Sequence, residues 1–209
     1  MKIAVKLLII LALLFTVFGQ FISASAGGGT SNGHFKDLGT DAYFYSTDSS
    51  GCLVTQVLIF ASQHYFQSPP GPGSAGPFVS LNIYQYDECT GTQILYATGG
   101  TTTDLNLQVD KKLRWATLSA TVNVYEGVSQ SFKDMYVDLT WTATGPRTHQ
   151  GFHEHRKSPC HMMWRSSGIF RTAEVSGSVS DGITTFALEN TLVAEIFSTK
   201  SGNLVIGCQ

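Results

Sequence analysis

Four of the six histidines fall within thirteen residues, His149, His153, His155 and His161, in the stretch THQGFHEHRKSPCHMMW from Thr148 to Trp164. Imidazole is a common ligand for borderline metals, and Zn²⁺ or Cu²⁺ suits a set of three or four. Spacing decides whether they can act together. In an extended chain, side chains two apart share a face with Cα atoms roughly 7 Å apart, so His153 and His155 could grip one ion. His149 falls on that face too if the extension continues. A helix would unite His149 and His153 but turn His155 away, and Gly151 with Pro146 and Pro159 argues against one. His161 could join after the proline turn, with Met162 or Met163 open to Cu⁺. The flanking Arg147, Arg156 and Lys157 oppose a cation, and a solvated polar connection between two strands is the simpler reading.

Other chemical motifs are set aside on context. An H-x-H pair also occurs in cupins, whose pattern continues to a glutamate, whereas Arg156-Lys157-Ser158-Pro159 follows here. Blue-copper sites spread Cys, His and Met along a loop, and here Cys160-His161-Met162 are adjacent. The chain matches neither pattern. Gly29 to Gly33 spells G-x-S-x-G without the strand and helix that strain a nucleophilic serine. No pair of carboxylates stands out as acid and base. A second kind of surface is offered by aromatics: Tyr43 and Tyr45 share one strand face, Tyr84 and Tyr86 another. Flat, amphipathic rings suit stacking on a glycan or a protein partner, although burial in the core is the commoner fate of aromatic area.

The elements that must position these groups are β-strands. From Asp41 onward, short β-branched and aromatic runs are punctuated by Gly, Asp, Asn and Pro. In 115 to 125 and in 133 to 144 apolar residues alternate with polar ones, the mark of antiparallel strands wet on one side. Eleven runs qualify: 41–47, 53–65, 78–87, 92–98, 105–109, 115–125, 133–144, 169–180, 183–188, 191–198 and 203–207. About ten strands with short links predict a single antiparallel β-sandwich over 41–209, with a β-barrel as the alternative. Ser180-Asp181-Gly182 and Lys200-Ser201-Gly202-Asn203 read as hairpin turns, and the proline-rich Gln67 to Pro77 as an exposed loop.

The ends and the composition place the protein. Lys2 and Lys6, an apolar run from Leu7 to Phe18 and Ala24-Ser25-Ala26 predict a signal peptide over 1–26, followed by a flexible segment over 27–40. The apolar run is shorter than a bilayer span, so no transmembrane segment is expected in the mature chain. Secretion or a periplasmic location follows, and the lack of an N-x-Ser/Thr sequon leans towards a bacterial source. Charged residues are 13% of the chain and the formal net charge is −2, without a basic cluster of nucleic-acid-binding size. Four cysteines in an oxidising compartment predict two disulfides. If 53–65 and 78–87 pair antiparallel, Cys52 reaches Cys89, which leaves Cys160 for Cys208. The resulting expectation is an exported, disulfide-stabilised binding module without catalytic residues, with Zn or Cu binding as the alternative.

Overall fold

The computed structural model describes residues 31–67, 74–156, 160–189 and 191–208. The expected signal peptide and the loop tip at 68–73 lie outside the described residues. Ten strands are present among the described residues: β1 Ser31–Thr47, β2 Leu53–Gln67, β3 Ser74–Asp87, β4 Thr92–Thr101, β5 Leu105–Val109, β6 Trp115–Glu126, β7 Ser131–Arg156, β8 Cys160–Ser180, β9 Thr185–Ala187 and β10 Val193–Cys208. The described residues contain no helix.

The all-β antiparallel class is as the alternation requires. All ten strands join one sheet, nine of them in the order β10-β1-β2-β3-β4-β6-β7-β8-β9 and β5 beside β6, and β10 also pairs with β8. The ladder therefore closes in a ring, and the two layers expected of a sandwich are continuous at both sides. Closure leaves fewer unpaired strand edges to attract other chains. The seam between β4 and β6 is short, Ala97↔Glu126 to Gly99↔Val124. It is short because β5 takes the other half of β6, Leu105↔Ala120 to Val109↔Ala116.

Inside the ring lies one core. On β6, Ala116, Leu118, Ala120, Val122 and Val124 are buried, and on β7 Met135, Val137, Leu139 and Trp141 are, while their polar alternates face water. Val57, Leu81, Ile83 and Ile196 meet them from the opposite wall. Trp141 spans the interior and donates its Nε1–H to the Asp41 carbonyl at 2.8 Å. One end of the ring is held by Lys133, which contacts Glu126 at 3.1 Å and Asp181 at 3.2 Å. Gly177 on β8 has φ +120°, and a Cβ there would sit against the Asp138 carbonyl, so only glycine permits this approach of β8 to β7.

Several strands are longer than local patterning predicts. β1 starts at Ser31 and not Asp41, because its first half pairs with β10 on one side and β2 on the other. Lys200 to Asn203 is no turn: it lies within β10, with Gly202 opposite both His34 and Arg165. Two ladders outweigh the turn preference of Ser-Gly-Asn, and the runs 191–198 and 203–207 merge. β3 takes in Pro77, where it is an edge, since β4 joins only from Val79. Ser180-Asp181-Gly182 does turn, with the Asp181 carboxylate accepting from the Ile183 and Thr184 amides.

Candidate functional site

The histidine segment is strand, not a connection. β7 continues to Arg156 and pairs with β8 along its whole second half, setting His149 opposite Ile169, His153 opposite Arg165 and His155 opposite Met163. A bulge separates this arm from the ring: the register shifts by two between Ala143 and Arg147. Pro146, which has no N–H, falls in that gap. The Arg171 Nε–H donates to the Gly145 carbonyl at 2.9 Å and the Arg147 guanidinium to the Lys112 carbonyl at 2.6 Å, so both arginines brace the junction. Because the bulge adds an even number of residues, alternation is kept. His149, His153 and His155 continue the inward face of Leu139 and Trp141, and Glu154 falls on the other.

Sharing a face does not bring the ligand atoms together. Among the described residues, Cys52, Asp87 and Cys89 are the only three His, Cys, Asp or Glu residues whose ligand atoms lie within 4.8 Å of one another. Their two sulfurs are bonded to each other, with Cα atoms 5.3 Å apart, so they are not free thiolates. This disulfide has the origin expected of it: Leu53 pairs with Asp87, which sets the start of β2 beside the end of β3. The backbone of Cys160 opposes that of Cys208 across β8 and β10, and that of His161 opposes Ile206. The side chains of Cys160, His161 and Cys208 lie outside the described residues.

The tyrosines stand on the outer face. Across β1, β2, β3 and β4 one row reads Tyr45, Gln56, Tyr84, Tyr96, and the next reads Tyr43, Leu58, Asn82, Thr98, continuing to Tyr125 and Phe132 on β6 and β7. Tyr45 is 41% exposed, Tyr84 38% and Phe132 69%, so these rings do not fill the core. Tyr84 and Tyr96 pack at 5.1 Å between centroids, and Tyr125 meets Phe132 edge-on at 5.3 Å. Tyr86 is exposed opposite the buried Val54. Tyr43 is half-buried, and burial with the neighbouring Tyr45 pushes its hydroxyl above the usual phenol range. Burial, then Tyr96, does the same to Tyr84. Between the rings lie polar groups, among them the Thr98 hydroxyl donating to the Asn82 side-chain oxygen at 2.6 Å. The rows extend the Tyr43, Tyr45, Tyr84 and Tyr86 set by Tyr96, Tyr125 and Phe132. Sequence reading favoured core burial for the first four, and only the strand register shows that these rings adjoin on the outer face.

Sequence reading also missed two facing carboxylates. Asp41 on β1 opposes Glu195 on β10 and accepts the Glu195 amide at 3.0 Å. Burial, reinforced by the Glu195 charge, pushes the Asp41 carboxyl up to about 7, and burial raises Glu195 as well.

No family model matches the chain. No curated protein matches it either. Among solved structures it has a distant likeness to a Nitrosomonas europaea protein provisionally named AttH, with 8% identity and a TM-score of 0.32. The match covers 83% of this chain and spans about half, 51%, of that one.

Proposed function

We propose that this protein is an exported, non-catalytic binding module whose outer tyrosine face stacks on a glycan. The observation that carries the proposal is that Tyr45, Tyr84, Tyr125 and Phe132 are exposed on two adjacent rows of one sheet face. Tyr45 and Tyr84 lie two strands apart, about 10 Å by sheet spacing, with Gln56 between them. Rings stack on the C–H faces of sugars, while amides and hydroxyls such as those of Gln56 and Thr98 meet the sugar hydroxyls. Contiguous exposed apolar surface of this kind marks interaction sites. The Cys52–Cys89 disulfide supports an oxidising compartment. A second disulfide, Cys160 to Cys208, is supported by their opposed backbones.

Affinity electrophoresis against a panel of neutral polysaccharides tests the reading. Retention by at least one polymer is expected, weakened tenfold or more by Tyr45→Ala with Tyr84→Ala while the melting midpoint holds. Failure of every polymer to retard the protein, or retardation untouched by the two substitutions, refutes it.

A second reading is Zn²⁺ or Cu²⁺ bound by His149, His153, His155 and His161. It is favoured by the extended form of β7, which gives the first three one face. Arg165 opposite His153 counts against it, since a guanidinium repels a metal ion. Equilibrium dialysis with each ion decides: metal at less than one equivalent ends this reading.

A further inference from the structure

Beyond the core, the inward face of the sheet continues onto β1, β2, β7, β8 and β10, and its charge is one-sided. The register gives this face Lys36, Lys200, Arg147, Arg165 and Arg171 and, among the described residues of these five strands, no Asp or Glu. Acids are not scarce in the chain, which has 15 of them against 13 Lys and Arg. The nearest in sequence alternate to the other side of their strands, and Asp37, which also lines the smaller cleft described below, is taken by His64 at 2.6 Å and Ser62 at 3.1 Å. Arg147 and Arg171 are bound to backbone carbonyls. Lys36, Lys200 and Arg165 have no ion-pair partner among the described residues, whereas Arg114 and Lys133 elsewhere do.

Lys36 and Lys200 also stand directly opposite each other on adjacent strands. Like charges in that relation destabilise a sheet, and within the fold the Lys36 ammonium has the Tyr65 ring, 6.0 Å from its centroid, as a neighbour. Around them the face is hollow. Gly151 and Gly202 have no side chains, and together with His34, His153, Arg165 and Lys200 they line an open cleft of about 860 Å³. A neighbouring cleft of about 580 Å³ shares Lys200 and adds Lys36 and Lys111, together with one acidic residue, Asp37, whose carboxylate is held by His64.

We infer that this double cleft is a binding site for a small anion carrying two or more negative charges, of the phosphate or carboxylate class, held between Lys36, Lys200 and Arg165. The guanidinium of Arg165 offers paired N–H donors that match a phosphate or carboxylate edge, and the ammonium groups neutralise the remaining charge. Imidazole N–H groups of His34 and His153 and the Ser167 hydroxyl supply further donors along the wall. Gly202 at the centre leaves the room: a Cβ there would come within 3.3 Å of the His34 ring. The site is separate from the tyrosine rows, which occupy the opposite face of the sheet.

Isothermal titration of the oxidised protein at low ionic strength, where screening is weakest, tests this with inorganic pyrophosphate and with citrate. Saturable binding of at least one probe is expected, and the preferred probe assigns the anionic group. Arg165→Gln and Lys200→Gln are expected to weaken it at least tenfold, and Lys200→Arg to keep it within about threefold. Lys36→Gln is expected to weaken binding without lowering the melting midpoint, which separates lost affinity from lost folding. Absence of saturable binding by both probes, or affinity unchanged in all three glutamine variants, overturns the inference.

Discussion

Asp41 offers the sharpest test of the energetics, because a buried carboxyl titrating at about 7 works against the fold at neutral pH. The sign follows from linkage. Below pH 3.8 the group is protonated in both the folded and unfolded chain and contributes nothing. As pH rises towards 7, the unfolded chain releases its proton while the folded one retains it, so stability falls, and the penalty is complete above 7. A rise of roughly three pH units at about 1.4 kcal/mol each gives about 4 kcal/mol. Asp41→Asn removes the ionisation and keeps an oxygen to accept the Glu195 amide. It should therefore stabilise the protein by about 4 kcal/mol at pH 8 and by almost nothing at pH 4. Denaturant unfolding at intervals from pH 4 to 8 measures the difference between variant and parent. The lower limit matters, since hydrogen bonding from Arg114 holds Asp110 down at about 2, and carboxylates of that kind give the opposite slope in acid. A variant no more stable than the parent at pH 8, or a difference that does not grow with pH, would refute the assignment.

Three further outcomes follow from single contacts. Replacing Cys52 and Cys89 by Ser frees a loop with a sequence separation of 37. In the chain-entropy model this lowers stability by about 4 kcal/mol, read by denaturant unfolding of oxidised parent and variant. Trp141→Phe leaves the Asp41 carbonyl without its donor and opens space in the ring, which should cost about 3 kcal/mol by the same assay. Gly177→Ala meets both a disfavoured φ and the Asp138 carbonyl, and should lower stability by about 3 kcal/mol or abolish soluble expression. Wild-type stability in that last variant would show that β8 approaches β7 differently.

How much could be read in advance varied with how local the cause is. The alternation of Met135, Val137, Leu139 and Trp141 against Tyr136, Asp138 and Thr140 is a property of neighbours in sequence, and these residues bury and expose accordingly. The Cys52–Cys89 bridge was legible because it follows from one antiparallel pair. Strand ends were harder. Lys200-Ser201-Gly202-Asn203 has the composition of a turn, yet a strand paired on both sides gains two ladders of hydrogen bonds by staying extended. The same holds for Ser31 to Thr40, which reads as a flexible lead-in until its partners β2 and β10 are known. The histidine arm escaped notice as a strand for the opposite reason, since Gly151 and the flanking prolines weaken its local pattern, and its partner β8 holds it extended.

By itself the sequence determined the fold class, the inward and outward faces of its clearest strands, and one disulfide, because each depends on side-chain period or on a single strand pair. Which faces carry several residues together was decided only by tertiary structure. Register across six strands gathers Tyr43, Tyr45, Tyr84, Tyr96, Tyr125 and Phe132 into adjoining rows, although they are spread over some ninety positions of the chain. Closure of the ring through β8 and β10 brings Arg165 and His153 to Lys200, and Lys200 to Lys36. Charge opposite charge, or ring beside ring, depends on partners distant in sequence, and no local spacing encodes it.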